Sequence, residues 1–274
     1  MDPVATTGLY TAMQRARESA RPDRLFSDPF AEALAGPQGN DVLAWMEARS
    51  PGVSQDPVVP IRTRFFDGTL ERILSESGVD QLVILAAGLD TRAFRLPLPP
   101  DLALFELDRP EVLDLKAARL AQLTAAPRCR RVPIPVDLTG DWSATLQGGG
   151  FDRQRPAVWL VEGLLHYLTD AQVHHVLATL SELAVTGSWL LTDVIGHSSL
   201  TLPQLASFLA LMAENGSPFR FGTDDPDGLM GTHGWRPQVT QFGETGANFG
   251  RWTMPVTDRN DSHAPHGYLI VARR

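Results

Sequence analysis

Leu82-Val83-Ile84-Leu85 is a run of apolar residues with no polar break, and it passes directly into Ala86-Ala87-Gly88-Leu89-Asp90-Thr91-Arg92, small residues that end in charge. A short, uninterrupted apolar run bounded in this way marks a strand buried on both faces, as in a parallel sheet. The small residues after it allow backbone to come close to a ligand. Similar runs recur at Leu102 to Leu107, Val132 to Val136, Val158 to Val161 and Trp189 to Val194. Between them, Glu111 to Leu123 and Ala171 to Leu183 carry apolar residues at i, i+3 and i+4, the pattern of amphipathic helices. Strands alternating with such helices imply right-handed βαβ units and an α/β, doubly wound, mostly parallel sheet.

Upstream, Val58, Ile61, Phe65, Leu70, Ile73 and Leu74 trace one helix that stops at Gly78, a C-terminal cap. Before it, Thr11 to Trp45 has helical spacings broken by Pro22, Pro29 and Gly36-Pro37, which predicts two or three short helices. Downstream, Gly196 to Thr257 leaves the rhythm. It holds one helical stretch, Leu202 to Glu214, and a Gly, Pro and Asp-rich loop, Gly222 to Gly228, expected to be the least rigid part. Tyr268-Leu269-Ile270-Val271-Ala272 reads as a final strand that suits an antiparallel close of the sheet. The expected organisation is one domain: a helical cap over 1–57, a binding core over 58–195, a lid-like insertion over 196–257 and the final strand within 258–274.

Composition narrows the function. Hydrophobic residues make up 43% of the chain, enough for a packed core, and the net charge is −8 with 24 Lys+Arg scattered along it. Nucleic acid needs concentrated basic residues and is not an expected partner. Cys129 is the single cysteine and cannot pair within the chain, so a cytoplasmic protein is expected. Met1 to Tyr10 lacks a basic stretch followed by an apolar run, and no stretch of about 20 apolar residues occurs, so neither export nor membrane insertion is expected. No metal site is expected either. His174 and His175 diverge by about 100° as helical neighbours, and Asp224, Asp225 and Asp227 read as a solvated loop.

In a doubly wound sheet, ligands bind outside the carboxyl ends of the strands, so the residues just after each run are the candidates. Gly88 follows the first strand, and Asp108, in Glu106-Leu107-Asp108, lies twenty residues beyond it, the spacing at which an acid meets a ribose diol. Asp137-Leu138 follows the third run and suits an adenine amino group and ring face. Glu162-Gly163 follows the fourth. Neither a G-x-G-x-x-G nor a phosphate loop is present. Acids without phosphate ligands suit S-adenosylmethionine, and Arg62 and Arg64 on the preceding helix suit its carboxylate. Structural roles compete at several positions: Asp90 and Asp137 as caps of the turns that follow, and Asp108 as an N-cap before Pro110.

Four strings, Ile61-Arg62-Thr63-Arg64-Phe65-Phe66-Asp67, Ala87-Gly88-Leu89-Asp90-Thr91-Arg92, Glu106-Leu107-Asp108-Arg109-Pro110-Glu111-Val112 and Val161-Glu162-Gly163-Leu164-Leu165-His166-Tyr167-Leu168, resemble the leucine carboxyl methyltransferase family. The likeness is to its bacterial branch, which includes polyketide O-methyltransferases, and runs from about Asp23 to Leu191. It implies a seven-stranded, Rossmann-like class I methyltransferase that uses S-adenosylmethionine and releases S-adenosylhomocysteine. It further implies that Arg62 binds the cofactor carboxylate, Gly88 lies against the methionine part, Asp108 holds the ribose, Asp137 and Leu138 frame the adenine, and Glu162 faces the amino group. Ala87, Asp90, Glu106 and Gly163 complete the implied cofactor set. Ala86 departs from the glycine usual in the family.

The acceptor implied is a carboxylate or hydroxyl on a small molecule, as in secondary metabolism, or on a peptide. A carboxylate needs no base, whereas an alcohol or phenol does. His166, His197 and His233 are the histidines considered for that task, with no catalytic residue assigned. Phe208, Met212, Phe219, Phe221, Trp235 and Trp252 supply apolar area for a bulky acceptor. A protein that binds the cofactor without turnover, and a nicotinamide-dependent oxidoreductase on a similar sheet, are the alternatives.

Overall fold

The computed structural model describes residues 3–274. Two helices open the described chain, α1 (Pro3–Ala20) and α2 (Ala31–Arg49). Met1 and Asp2, the first residues of the expected cap, lie outside the described residues. The break expected at Gly36-Pro37 is present inside α2, where Gly36 has φ 60° and ψ −171°. The third helix, α3 (Val58–Ser77), ends on Gly78 in the left-handed conformation (φ 68°), the cap expected from the sequence.

The core then alternates: β1 (Gln81–Leu85), α4 (Arg92–Arg95), β2 (Ala103–Asp108), α5 (Pro110–Gln122), β3 (Arg130–Pro135), α6 (Ser143–Gly148), β4 (Val158–Val161), α7 (Asp170–Leu183) and β5 (Trp189–Ile195). After it come α8 (Ala206–Glu214), α9 (Pro226–Thr232), β6 (Arg236–Gln241) and β7 (Gly267–Arg273). Among the described residues the strands form one seven-stranded sheet in the order β3-β2-β1-β4-β5-β7-β6. β1 to β5 pair in parallel, and β7 runs antiparallel to both β5 and β6.

The apolar runs are buried along their full length in β1, β2 and β4. Alternate residues enter opposite cores: Leu82, Ile84, Leu104 and Leu160 pack with side chains of α2, α3 and α4, while Val83, Leu85, Phe105 and Trp159 pack with α6, α7 and α9. Strand order reverses between β1 and β4, which places the binding crevice at their carboxyl ends.

The range 196–257 contains α8, α9 and β6. Asp225 caps α9 by accepting from Gly228 N at 2.8 Å, so the loop expected to be least rigid is in part the start of a helix. Asp224 accepts from Ser198 N at 3.1 Å and from its hydroxyl at 3.0 Å, so these acids fasten local backbone. β6 was not evident from the sequence because Arg236-Pro237-Gln238-Val239-Thr240-Gln241 lies at the sheet edge, half exposed, and tolerates a proline there. Among the described residues no helix is long and apolar enough to cross a membrane.

α7, which covers the second face, begins with a capping box: the Thr169 side chain accepts from Gln172 N, and the Gln172 side chain accepts from Thr169 N. Thr169→Ala is expected to lower unfolding stability by about 1 kcal/mol, measured by urea denaturation. An unchanged midpoint would show that tertiary packing alone sets the start of this helix.

Candidate functional site

The chain turns sharply where β1 ends. Ala86 and Gly88 both have positive φ, 52° and 46°. For Ala86 this left-handed backbone costs on the order of 1 kcal/mol, which explains why glycine suits the position better. Gly88 N donates to Asp108 Oδ2 at 2.6 Å and Arg109 N donates to Oδ1 at 2.7 Å, so the carboxylate at the end of β2 is clamped to the turn after β1. Each oxygen keeps a further lone pair. Burial nonetheless holds the Asp108 pKa above the ordinary range.

Beside this clamp lies a lattice of arginines and carboxylates. Arg62, on α3, donates from Nε to Glu162 Oε1 at 3.0 Å and from Nη1 to Asp193 Oδ2 at 2.8 Å. Arg92 reaches Glu162 Oε2 at 2.7 Å, Asp67 Oδ1 at 2.8 Å and Asp90. Gly163 N donates to Asp193 Oδ1 at 2.7 Å. Gly163 is itself left-handed (φ 66°), which strains any other residue, and a Cβ there would stand 3.1 Å from Arg62 Nη2 and press on that guanidinium. Burial pushes the Glu162 carboxyl up, but Arg92 and Arg62 outweigh it and hold the pKa below the ordinary range. Burial also opposes ionisation of Asp90, yet Arg92 and other cations bring it down to about 2. Glu162 and Asp90 are therefore ionised at neutral pH, whereas burial pushes the Asp193 carboxyl above the ordinary range against the pull of Arg62.

A second set of bonds fastens the cap. Arg15, on α1, donates to Asp28 Oδ2 at 2.9 Å and to the carbonyl of Leu89 at 2.7 Å. Thr91 donates to the same Asp28 oxygen at 2.7 Å.

Over these groups opens a cavity of about 1410 Å³, lined by Arg62, Ala87, Gly88, Asp90, Asp108, Asp137, Leu138, Glu162 and Gly163, all expected from the sequence. Asp137 also binds its own turn, accepting from Thr139 N at 2.9 Å and Oγ1 at 2.7 Å, so the structural role weighed for it is present as well. Glu106 is not brought to the cavity. It lies two residues deeper in β2 than Asp108, fully buried, where Lys116 Nζ (2.8 Å) and Arg131 Nη2 (2.7 Å) neutralise it. Arg64 instead stands over the ring of Phe249 at 5.6 Å.

Apolar side chains from the cap and from 196–257 also contribute to the cavity lining, among them Trp45, Phe208, Met212, Phe219 and Trp252. Phe221 and Trp235 do not: both belong to the core on the second face of the sheet, and Trp235 Nε1 donates to Ser181 Oγ at 2.8 Å. Of the histidines considered, only His166 lines the cavity; the Nε2 of His233 faces His174 Nδ1 at 2.9 Å, and His197 is exposed. His166 has its ring centroid 4.2 Å from those of both Tyr167 and Phe219. Burial, with help from Arg62, drives its pKa down to about 3.

Sequence reasoning missed Asp193, and gave no role to Arg92 or Asp67 within the strings it singled out. An acid inside the apolar run Trp189 to Ile195 was a usable signal, because such a carboxylate requires a partner.

Residues 8–181 match the leucine carboxyl methyltransferase family. A protein of Frankia alni, provisionally named an S-adenosyl-L-methionine-dependent methyltransferase, is 39% identical over 292 residues, covering 99% of this chain and 95% of its own. One of Saccharopolyspora erythraea with the same provisional name is 35% identical over 293 residues, covering 99% and 96%. Among solved structures, a DUF574 family protein of Streptomyces avermitilis superposes with a TM-score of 0.63 at 18% identity, covering 94% of this chain and 98% of the other. That likeness shows a shared fold.

The His166 ring also ties stability to pH. Its folded pKa of about 3 lies well below that of an unfolded histidine. Between the two values only the unfolded chain takes up the proton, so the contribution is complete above about pH 6.5 and is lost as pH falls, at roughly 1.4 kcal/mol per unit. Urea denaturation between about pH 6 and pH 4 should show wild type losing stability more steeply than His166→Phe, by on the order of 1 kcal/mol per unit. Equal slopes would mean that the folded ring takes up the proton too.

Proposed function

The chain belongs to the leucine carboxyl methyltransferase family and depends on S-adenosylmethionine, and on that premise we propose that it methylates oxygen, on a carboxylate or hydroxyl of a small polyketide-like molecule or of a peptide. The observation that carries this reading is the two-part cavity. At about 1410 Å³ it has room for more than one ligand, and its acidic strand-end half is continuous with an apolar half.

The donor set fits the cofactor. Carboxylates stand at the strand ends without a phosphate-binding turn, which suits a nucleoside and a sulfonium cation. When bound, S-adenosylmethionine supplies an electrophilic methyl group. Asp108 has spare lone pairs for a ribose diol while its backbone bonds fix its orientation. Asp137 and Leu138 would frame the adenine. Ala87 and Gly88 present bare backbone to the methionine part. Arg62 uses Nε and Nη1 on Glu162 and Asp193, which leaves Nη2 for the cofactor carboxylate. Glu162 and Gly163 would face the amino group, and Asp90 keeps Arg92 in register beneath them. Glu106 holds Lys116 and Arg131 under the site and has no part in contact.

The remaining work is positioning and exclusion of water. Residues of the cap over 1–57 and of 196–257 serve as the closing wall, through Trp45, Phe208, Met212 and Trp252. A buried lone cysteine accords with a cytoplasmic setting.

Calorimetric titration tests the reading. Both S-adenosylmethionine and S-adenosylhomocysteine should bind, NADH should not, and Asp108→Ala should weaken the adenosyl ligands by about 1 kcal/mol or more. Binding of NADH without either adenosyl ligand would return the chain to the oxidoreductases, and cofactor binding with no turnover on any oxygen acceptor would favour a binding protein.

A further inference from the structure

The acceptor half of the cavity is short of positive charge. Four arginines that line the cavity are already matched by carboxylates: Arg15 by Asp28, Arg62 by Glu162 and Asp193, Arg92 by Asp67, Asp90 and Glu162, and Arg95 by Asp67. Arg109 lies 3.4 Å from Glu111, and Arg220 is exposed to solvent. Asp56 adds a carboxylate to the wall, with Oδ1 held by Val58 N at 2.9 Å. With Arg62 Nη2 taken by the cofactor carboxylate, a carboxylate acceptor entering here would be desolvated without a further buried cation to answer it, which is unfavourable.

His166 has the opposite character. It is only 7% exposed, lines the cavity, and its ring nitrogens carry no hydrogen bond among the described residues. Like Glu162 it lines the cavity, and its ring centroid lies 4.2 Å from those of Tyr167 and Phe219. Phe219 packs on its ring, and Phe208 lies edge-on to Phe219 at 5.6 Å. A neutral imidazole presents one acceptor nitrogen and one N–H, which suits a hydroxyl and cannot balance the charge of a carboxylate.

We infer that, within the methyltransferase reading above, the acceptor is a neutral aromatic hydroxyl compound, and that His166 binds its O–H and receives the proton, so that the product is an ether. As the new carbon–oxygen bond forms, the carbon–sulfur bond breaks and its electron pair stays on sulfur. The hydroxyl proton passes to the acceptor nitrogen of His166 and then to water at the cavity mouth. A weakly basic imidazole suffices, because an oxygen gaining a third bond becomes far more acidic than imidazolium.

The test is calorimetric titration of the S-adenosylhomocysteine-loaded protein with 2-naphthol and with 2-naphthoate at neutral pH, on wild type, His166→Phe, His166→Gln and Arg220→Gln. Titration of each variant with S-adenosylhomocysteine reports whether its fold is intact, and where His166→Phe fails that check, His166→Gln decides. 2-Naphthol is expected to bind at least about tenfold tighter than 2-naphthoate, His166→Phe to lose about tenfold of the naphthol affinity, and His166→Gln, which retains a hydrogen-bonding oxygen, to keep most of it. In nitrogen-15 spectra, the imidazole signal absent from His166→Phe should shift when naphthol is added to wild type. Tighter binding of 2-naphthoate, abolished in Arg220→Gln, would assign a carboxylate acceptor instead. Binding of neither naphthyl compound, or naphthol affinity indifferent to residue 166, overturns the inference. Failure of wild type to bind S-adenosylhomocysteine would strike at the cofactor reading itself.

Discussion

The constraint on which the rest of the structure depends is that charges taken out of water must be matched. Arg62 and Arg92 are buried, and between them they meet Glu162, Asp193, Asp67 and Asp90. Removing one partner from such a group leaves a buried charge unanswered, at a cost of several kcal/mol. The lattice therefore dictates where helices stand. Arg62 holds α3 against the ends of β4 and β5, Arg92 holds the turn after β1 against α3, and Arg15 with Asp28 holds the cap against Leu89. Three parts of the chain distant in sequence share one rigid floor, and the cavity lies above it.

The sheet was legible because its signal is local. Runs such as Leu82 to Leu85 and Val158 to Val161 are apolar on both faces, and only a central parallel strand demands that. The edge strand Arg236–Gln241 was not legible, because one face of it meets little but solvent and Val239 is its one aliphatic residue. The helix begun by Asp225 was hidden for a related reason, since a cap and a loop use the same residue types.

At the site, the residues after each strand were legible from topology alone, and the resemblance gave them roles. Depth within a strand was not. Glu106 and Asp108 differ by two positions, yet one is sealed beneath α5 with Lys116 and the other opens on the cavity. Nor can sequence say which arginine answers which acid, because Arg62 and Asp193 are separated by 131 residues and meet only through the fold. The six aromatic and apolar residues singled out for the acceptor divide in the same way, with Phe221 and Trp235 in the core and four on the cavity wall.

The strand order has a consequence for biosynthesis. β7 lies between β5 and β6 but is later in the chain than both. While the ribosome is still making the residues between β5 and β7, the nascent sheet carries an unsealed edge along Trp189–Ile195, open to pairing with a neighbouring chain. The residues that enter β7, His266 and Gly267, also line the cavity, so sealing that edge and finishing the cavity wall are one event. A nascent chain that has not yet inserted this strand is vulnerable to aggregation and lacks part of its binding surface, and a cell has reason to deliver the segment quickly.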